Sequence, residues 1–153
     1  MSKKLHSSAI EGRIGSGYPA PFNEPCKQRD RKRLGDAAGL TQFGVNLMRL
    51  PPGVWSSQRH WHSAEDEFLY VLAGELVLVT DDGEEVLRAG DCAGFKAGDR
   101  NGHHLQNRST ADAIYLEIGS RSATDSVTYP GIDLLIKAPD HKFTHRDGTP
   151  YEK

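Results

Sequence analysis

Cysteine is nearly absent: Cys26 and Cys92 are the only two in 153 residues. So few thiols argue against a disulfide framework and exclude a structural zinc site built on thiolates, so any metal must be held by imidazole and carboxylate. Long apolar runs are also missing. The longest, Phe68 to Ala73, falls far short of the roughly 18–20 residues that a spanning helix needs, and no membrane partner is expected. Charge of one sign is not in surplus either. With 19 Lys and Arg against 21 Asp and Glu, the formal net charge is −2, and no global field draws the chain onto nucleic acid. No apolar block follows Lys3 and Lys4, so the first residues do not read as a signal peptide and the expected compartment is cytoplasmic. No segment shows a sustained helical period.

What the sequence does have is punctuation. Its 16 Gly and 8 Pro fall between short apolar segments rich in Val, Leu, Phe and Tyr, the pattern of an antiparallel sandwich or barrel rather than of alternating strands and helices. Residues 41–50 alternate and stop at Pro51-Pro52-Gly53. Residues 67–73 and 75–80 are two strands with a bend at Gly74, and Asp81-Asp82-Gly83-Glu84 is a hairpin turn leading into Val86 and Leu87. His103 to Asn107 and Ala113 to Ile118 read as a further strand pair. Residues 1–25 lack periodicity and read as a leader that docks as an arm near Tyr18 to Pro25. Residues 26–153 read as a single domain. The basic run from Lys27 to Arg33 has no aromatic interleaving and is interrupted by Asp30, so it reads as a solvated face. Phe68 and Tyr70 are assigned to the core, and Cys92 to a buried position.

The segment that carries chemistry is Arg59-His60-Trp61-His62-Ser63-Ala64-Glu65-Asp66-Glu67, with His103 and His104 some forty residues later. Residues two apart on a strand share a face, so His60 and His62 present both rings to one side. A turn through Ser63 to Asp66 brings the Glu67 carboxylate beside them, and a later strand supplies His103 or, as a substitute, His104. Three nitrogens and one carboxylate suit one divalent transition metal (Zn, Mn, Fe, Ni or Co) rather than Ca or Mg. Glu65 and Asp66 are turn residues that could orient a ligand ring. Gln58 and Arg59 are alternative contacts for an anionic substrate.

The string His60-x-His62, four residues, Glu67, six residues, Gly74 resembles the first motif of the cupin superfamily. Gly90, Gly98 and His103-x-x-x-Asn107 resemble the second, with Lys96 where Pro is usual and a longer step from Gly98 to His103. The resemblance spans about residues 41–118. It implies an all-β fold, an antiparallel β-barrel or jelly roll (the cupin double-stranded β-helix) with the N-terminal arm appended, and a metal held by His60, His62, Glu67 and His103. It implies a small bacterial single-domain cupin with a small-molecule partner. The expected function is a metal-dependent enzyme acting on a carboxylic acid or sugar derivative by isomerase, lyase or dioxygenase chemistry, with a non-catalytic sensor or binding module as the alternative. The sequence names no catalytic residue; Tyr70, Tyr115 and Glu117 are possible lining residues. Exposed strand edges lead to the expectation of a homodimer.

Overall fold

The computed structural model describes residues 4–152. Strands dominate, and the only α-helix among the described residues is the single turn α1 (Leu34–Ala37). Six strands form one antiparallel sheet in the order β1 (Arg13–Ile14), β2 (Asp30–Arg33), β3 (Phe43–Leu50), β10 (Ala113–Ser120), β5 (Glu67–Ala73) and β8 (Cys92–Phe95). Facing it are β7 (Gly83–Arg88), β6 (Glu75–Thr80) and β9 (His103–Gln106), and then β4 (Trp61–His62), β11 (Val127–Thr128), β12 (Leu135–Lys137) and β13 (Lys142–Thr144). These two smaller sheets meet at one bridge, where the His60 and His103 main chains exchange N–H···O bonds of 3.2 and 2.9 Å. Among the described residues the strands do not close into one continuously bonded ring. They form the two facing layers of a jelly roll.

Pairing register decides what each layer buries. Across the six-stranded sheet, Arg31 lies opposite Met48, Met48 opposite Tyr115 and Tyr115 opposite Val71. One row nearer the mouth, Arg33 aligns with Asn46, Asn46 with Glu117, Glu117 with Leu69 and Leu69 with Ala93. Paired residues share a face, so the inner face grades from apolar at one end (Leu50, Ala113, Val71) to polar at the other (Glu67, Glu117, Asn46, Arg31). From the opposite layer, Leu76, Leu78, Leu87 and Leu105 close the apolar end into one core, where each fully buried Leu or Val contributes roughly 1.5–3 kcal/mol. Asn107 is buried beside it and donates from Nδ2 to the Leu50 and Ala111 carbonyls at 2.7 and 2.8 Å, tying the start of the β9–β10 connection to the end of β3.

Gly74 moves the chain from one layer to the other. Its φ is +80°, and a Cβ there would come within 2.6 Å of the Asp112 carbonyl oxygen, so only glycine fits. The arm also has a defined course: β1 pairs with β2, and Tyr18 and Phe22 pack against a second cluster of Val127, Tyr129 and Leu134.

Three expectations need correction. The strands holding His103 and Ala113 are not partners: β9 pairs with β6, and β10 with β3 and β5, because a jelly roll crosses between layers at this connection. Phe68 and Tyr70 are each 40% exposed, since even-numbered residues of β5 face outward. Cys92 is exposed for the same reason, lying opposite Tyr70, while Cys26 is the buried thiol.

Candidate metal centre

His60 and His62 stand at the junction of the two smaller sheets, and Glu67 enters from across the cavity as the first inward residue of β5. One nitrogen from each ring and one Glu67 oxygen lie within 4.8 Å of one another. His62 Nε2 is 2.9 Å from Glu67 Oε1, and His60 Nε2 is 3.5 Å from the same oxygen. His103 Nε2 contacts the other carboxylate oxygen, Oε2. Each of the three imidazoles therefore contacts the Glu67 carboxylate, and the set whose ligand atoms all lie close to one another is His60, His62 and Glu67.

Period two separates His103 from its neighbour. His103 shares its face of β9 with Leu105 and points inward, where its ring stacks on Phe95 with centroids 3.6 Å apart and planes 5° apart. His104 points the other way. Its ring sits edge-on to Trp55, and Nδ1 bonds the Ser57 carbonyl at 2.8 Å. Burial, opposed by that hydrogen bond, pushes the His104 pKa down to about 4, so this ring is a neutral packing group away from Glu67.

The outer nitrogens fix the inner ones. His60 Nδ1 is 2.8 Å from the Gln58 carbonyl, and His62 Nδ1 is 2.7 Å from Asp125 Oδ2. A carbonyl or an ionised carboxylate can only accept, so both Nδ1 atoms carry hydrogen and neutral rings present bare Nε2 lone pairs to Glu67. Acceptors then face an acceptor, an arrangement that only a cation or a proton between them resolves. The donor set thus fits a divalent ion in which each ring is oriented by a group behind it. Without an ion the proton takes that place. Burial lowers the His62 pKa, but Glu67 and Asp125 together outweigh it and raise it to about 9. For Glu67, burial is overcome by the three imidazoles, which hold it well below the usual carboxylate range. Burial keeps His103 below its ordinary value despite Glu67.

Asp125 was not legible in the sequence. It is only 4% exposed and also accepts from the Ala64 and Glu65 main-chain N–H groups at 2.9 and 3.1 Å, which locks the turn between His62 and Glu67. It lies far from that turn in sequence and arrives through the pairing of Val127 with His62. Glu65, expected as an orienting group, stands 3.7 Å from His62 Nδ1; Asp66 instead caps the Ala97 N–H. Gln58 and Arg59 are occupied structurally, the first by the Phe22 carbonyl and the second by Asp81. Of the three possible lining residues, Tyr70 faces outward and Tyr115 is buried in the core. Glu117 alone combines an ionisable group with a place on the wall of the cavity, of about 340 Å³, that contains His60, His62 and Glu67.

Residues 46–119 match the cupin domain family. Over 98% of this chain and 97% of the other, the protein is 48% identical to a crystal structure described as a sugar phosphate isomerase from a cupin superfamily, from Silicibacter pomeroyi, with a TM-score of 0.91. The chain belongs to the cupin superfamily. A second structure, from Acidithiobacillus ferrooxidans and provisionally described as a sugar phosphate isomerase, is 27% identical over 94% of this chain and 89% of its own, with a TM-score of 0.78. A polyketide cyclase from Streptomyces resistomycificus, 18% identical over 78% of this chain and 80% of its own, shares the cupin fold at a TM-score of 0.64. Comparison with curated proteins gives no match. The motif glycine of this cupin, Gly74, stands at the bend between β5 and β6, and His60, His62 and Glu67 form a group that could hold a metal ion. No helix among the described residues is long and apolar enough to cross a membrane.

Proposed function

We propose that this cupin is a metal-dependent enzyme that isomerises a small sugar phosphate in the cavity beside Glu67, with His60, His62, Glu67 and His103 as ligands of one Zn, Mn, Fe, Ni or Co ion. The observation that carries the reading is the convergence of three imidazoles on one carboxylate in a cavity whose wall carries a second carboxylate, Glu117, that no imidazole engages. Full-length similarity to a protein described as a sugar phosphate isomerase supports the substrate class. A cavity of about 340 Å³ suits a small ligand.

A bound divalent ion would act as a Lewis acid on the carbonyl and hydroxyl oxygens of an open-chain sugar. The remaining chemistry belongs to the chain. Glu117 takes the proton from the carbon beside the carbonyl and returns it to the former carbonyl carbon, while the hydroxyl proton passes between the two oxygens. Atoms and electrons balance within the substrate. Asn46 Nδ2 and Arg31 Nη2, 3.2 and 3.4 Å from Glu117 Oε1, hold the carboxylate in place for that transfer. Incubating metal-loaded protein with a panel of aldose phosphates is expected to give the corresponding ketose phosphates, and chelation is expected to stop it. Saturable binding without product would replace the enzyme with a binding module.

A homodimer is part of the proposal. The outer face of the six-stranded sheet carries Phe43, Phe68, Tyr70 and Leu72, all exposed, an apolar area of the kind that marks an interface. Sedimentation at micromolar concentration is expected to give twice the chain mass, and Phe68→Asp with Tyr70→Asp the single chain with metal content unchanged. A monomeric wild type removes this part of the proposal.

A further inference from the structure

The basic run that the sequence suggested to be a solvated face is exposed at Lys27 and Arg33, but it enters β2 at Asp30 and presents two sides. Lys32 turns outward and reaches the Ser7 carbonyl, and Asp30 pairs with Arg49. Arg29 and Arg31 turn inward and line the cavity that holds His60, His62 and Glu67. Several other arginines are matched to carboxylates, as Arg59 is to Asp81 and Arg121 to Asp36, and Arg146, without an ion pair among the described residues, lies outside this cavity. Arg29 is not so matched. It is 7% exposed, its guanidinium donates to the Ser56 carbonyl at 2.7 Å and the Gly15 carbonyl at 3.1 and 3.3 Å, and it forms no ion pair among the described residues. Arg31 touches Glu117 only through Nη2 at 3.4 Å, and its Nε is buried without a hydrogen-bond partner among the described residues. Two guanidinium groups thus line a cavity in which Glu117 pairs with Arg31 alone and Glu67 is engaged by the imidazoles. Buried positive charge left uncompensated is costly unless an anion completes it, and a planar guanidinium with unused N–H groups is suited to phosphate oxygens.

We infer that Arg29 and Arg31 form the anion subsite of this cavity and bind the phosphate group of the substrate, Arg31 by direct hydrogen bonds and Arg29 as the fixed charge behind it. This assignment rests on the sugar phosphate reading above for the choice of phosphate over carboxylate. It also gives Arg31 two tasks, since the same guanidinium steadies Glu117 and so sets the anion at a fixed distance from the base.

The test is calorimetric titration of metal-loaded protein with ribose 5-phosphate, ribose and inorganic phosphate, alongside Arg31→Gln and Arg31→Lys, with metal content and melting temperature measured for each. Wild type is expected to prefer ribose 5-phosphate to ribose by about 100-fold. Arg31→Gln is expected to weaken ribose 5-phosphate and inorganic phosphate by about 10–100-fold, the range for hydrogen bonds to a charged group, with ribose affinity and metal content unchanged. Arg31→Lys is expected to recover part of the loss. Equal affinity of wild type for ribose and its phosphate, or undiminished phosphate binding by Arg31→Gln, overturns the assignment. Arg31-dependent phosphate binding without turnover sustains the subsite and overturns the isomerase. Turnover with an unchanged KM in Arg31→Gln does the reverse.

Discussion

The double change His60→Ala with His62→Ala is expected to reduce bound metal from one ion per chain to background, measured by elemental analysis of tag-free protein. Removing both rings deletes two of three nitrogen donors and leaves only Glu67 and His103, too few for a stable first-row site. The loss should exceed the 10–100-fold that follows removal of a single orienting group behind a ligand. The fold is expected to survive, because the two rings project from the sheet junction rather than from the apolar core of Met48, Leu69, Val71 and Leu105. His104→Ala is the matched control. Its ring is turned toward Trp55 and the Ser57 carbonyl, so that variant is expected to keep its metal while losing packing. Equal metal content in the double variant would show that the ion sits elsewhere, and loss of metal in His104→Ala would show that β9 presents the other imidazole.

Period-two reasoning was reliable wherever one face of a strand is apolar and the other polar. It located β3, the β6–β7 hairpin and the shared side of His60 and His62, and it would also have split the Lys27–Arg33 run into an inward Arg29 and Arg31 and an outward Lys32. It failed at β5. Both faces of that strand are apolar, so the sequence alone gave no reason to put Phe68 and Tyr70 outside and Leu69 and Val71 inside. Strand partners were legible only when local. The Asp-Gly turn announces its own hairpin, whereas the β10 pairings with β3 and β5 join segments about forty or more residues apart that no turn signal connects. Asp125 belongs to the same class of omission. Its place behind His62 depends on the long-range pairing of β11 with β4, and an isolated Asp carries no spacing by which to find it.

Glu117→Gln is expected to lower kcat by about 10²–10⁴-fold, the range for loss of a positioned general base, with metal content close to wild type and KM for the sugar phosphate no higher, since Arg31 loses a competing carboxylate. The substitution is nearly isosteric. Its amide oxygen can still accept from Asn46 and Arg31, so the inner face of β10 keeps its packing, while the capacity to take up a proton and the negative charge beside Arg31 are both removed. Isomerisation measured in deuterated water separates this role from a structural one. If Glu117 carries the proton between the two carbons, wild type exchanges part of it with solvent, and the variant loses exchange and turnover together. A variant that keeps wild-type kcat would exclude Glu117 as the base. One that loses turnover but still exchanges the carbon-bound proton would assign proton removal to another group, leaving Glu117 to position Arg31. The prediction is sharper for this residue than for any other on the wall: Glu67 is engaged by three imidazoles and Tyr115 is 1% exposed in the core, so neither is free to shuttle a proton to a bound sugar.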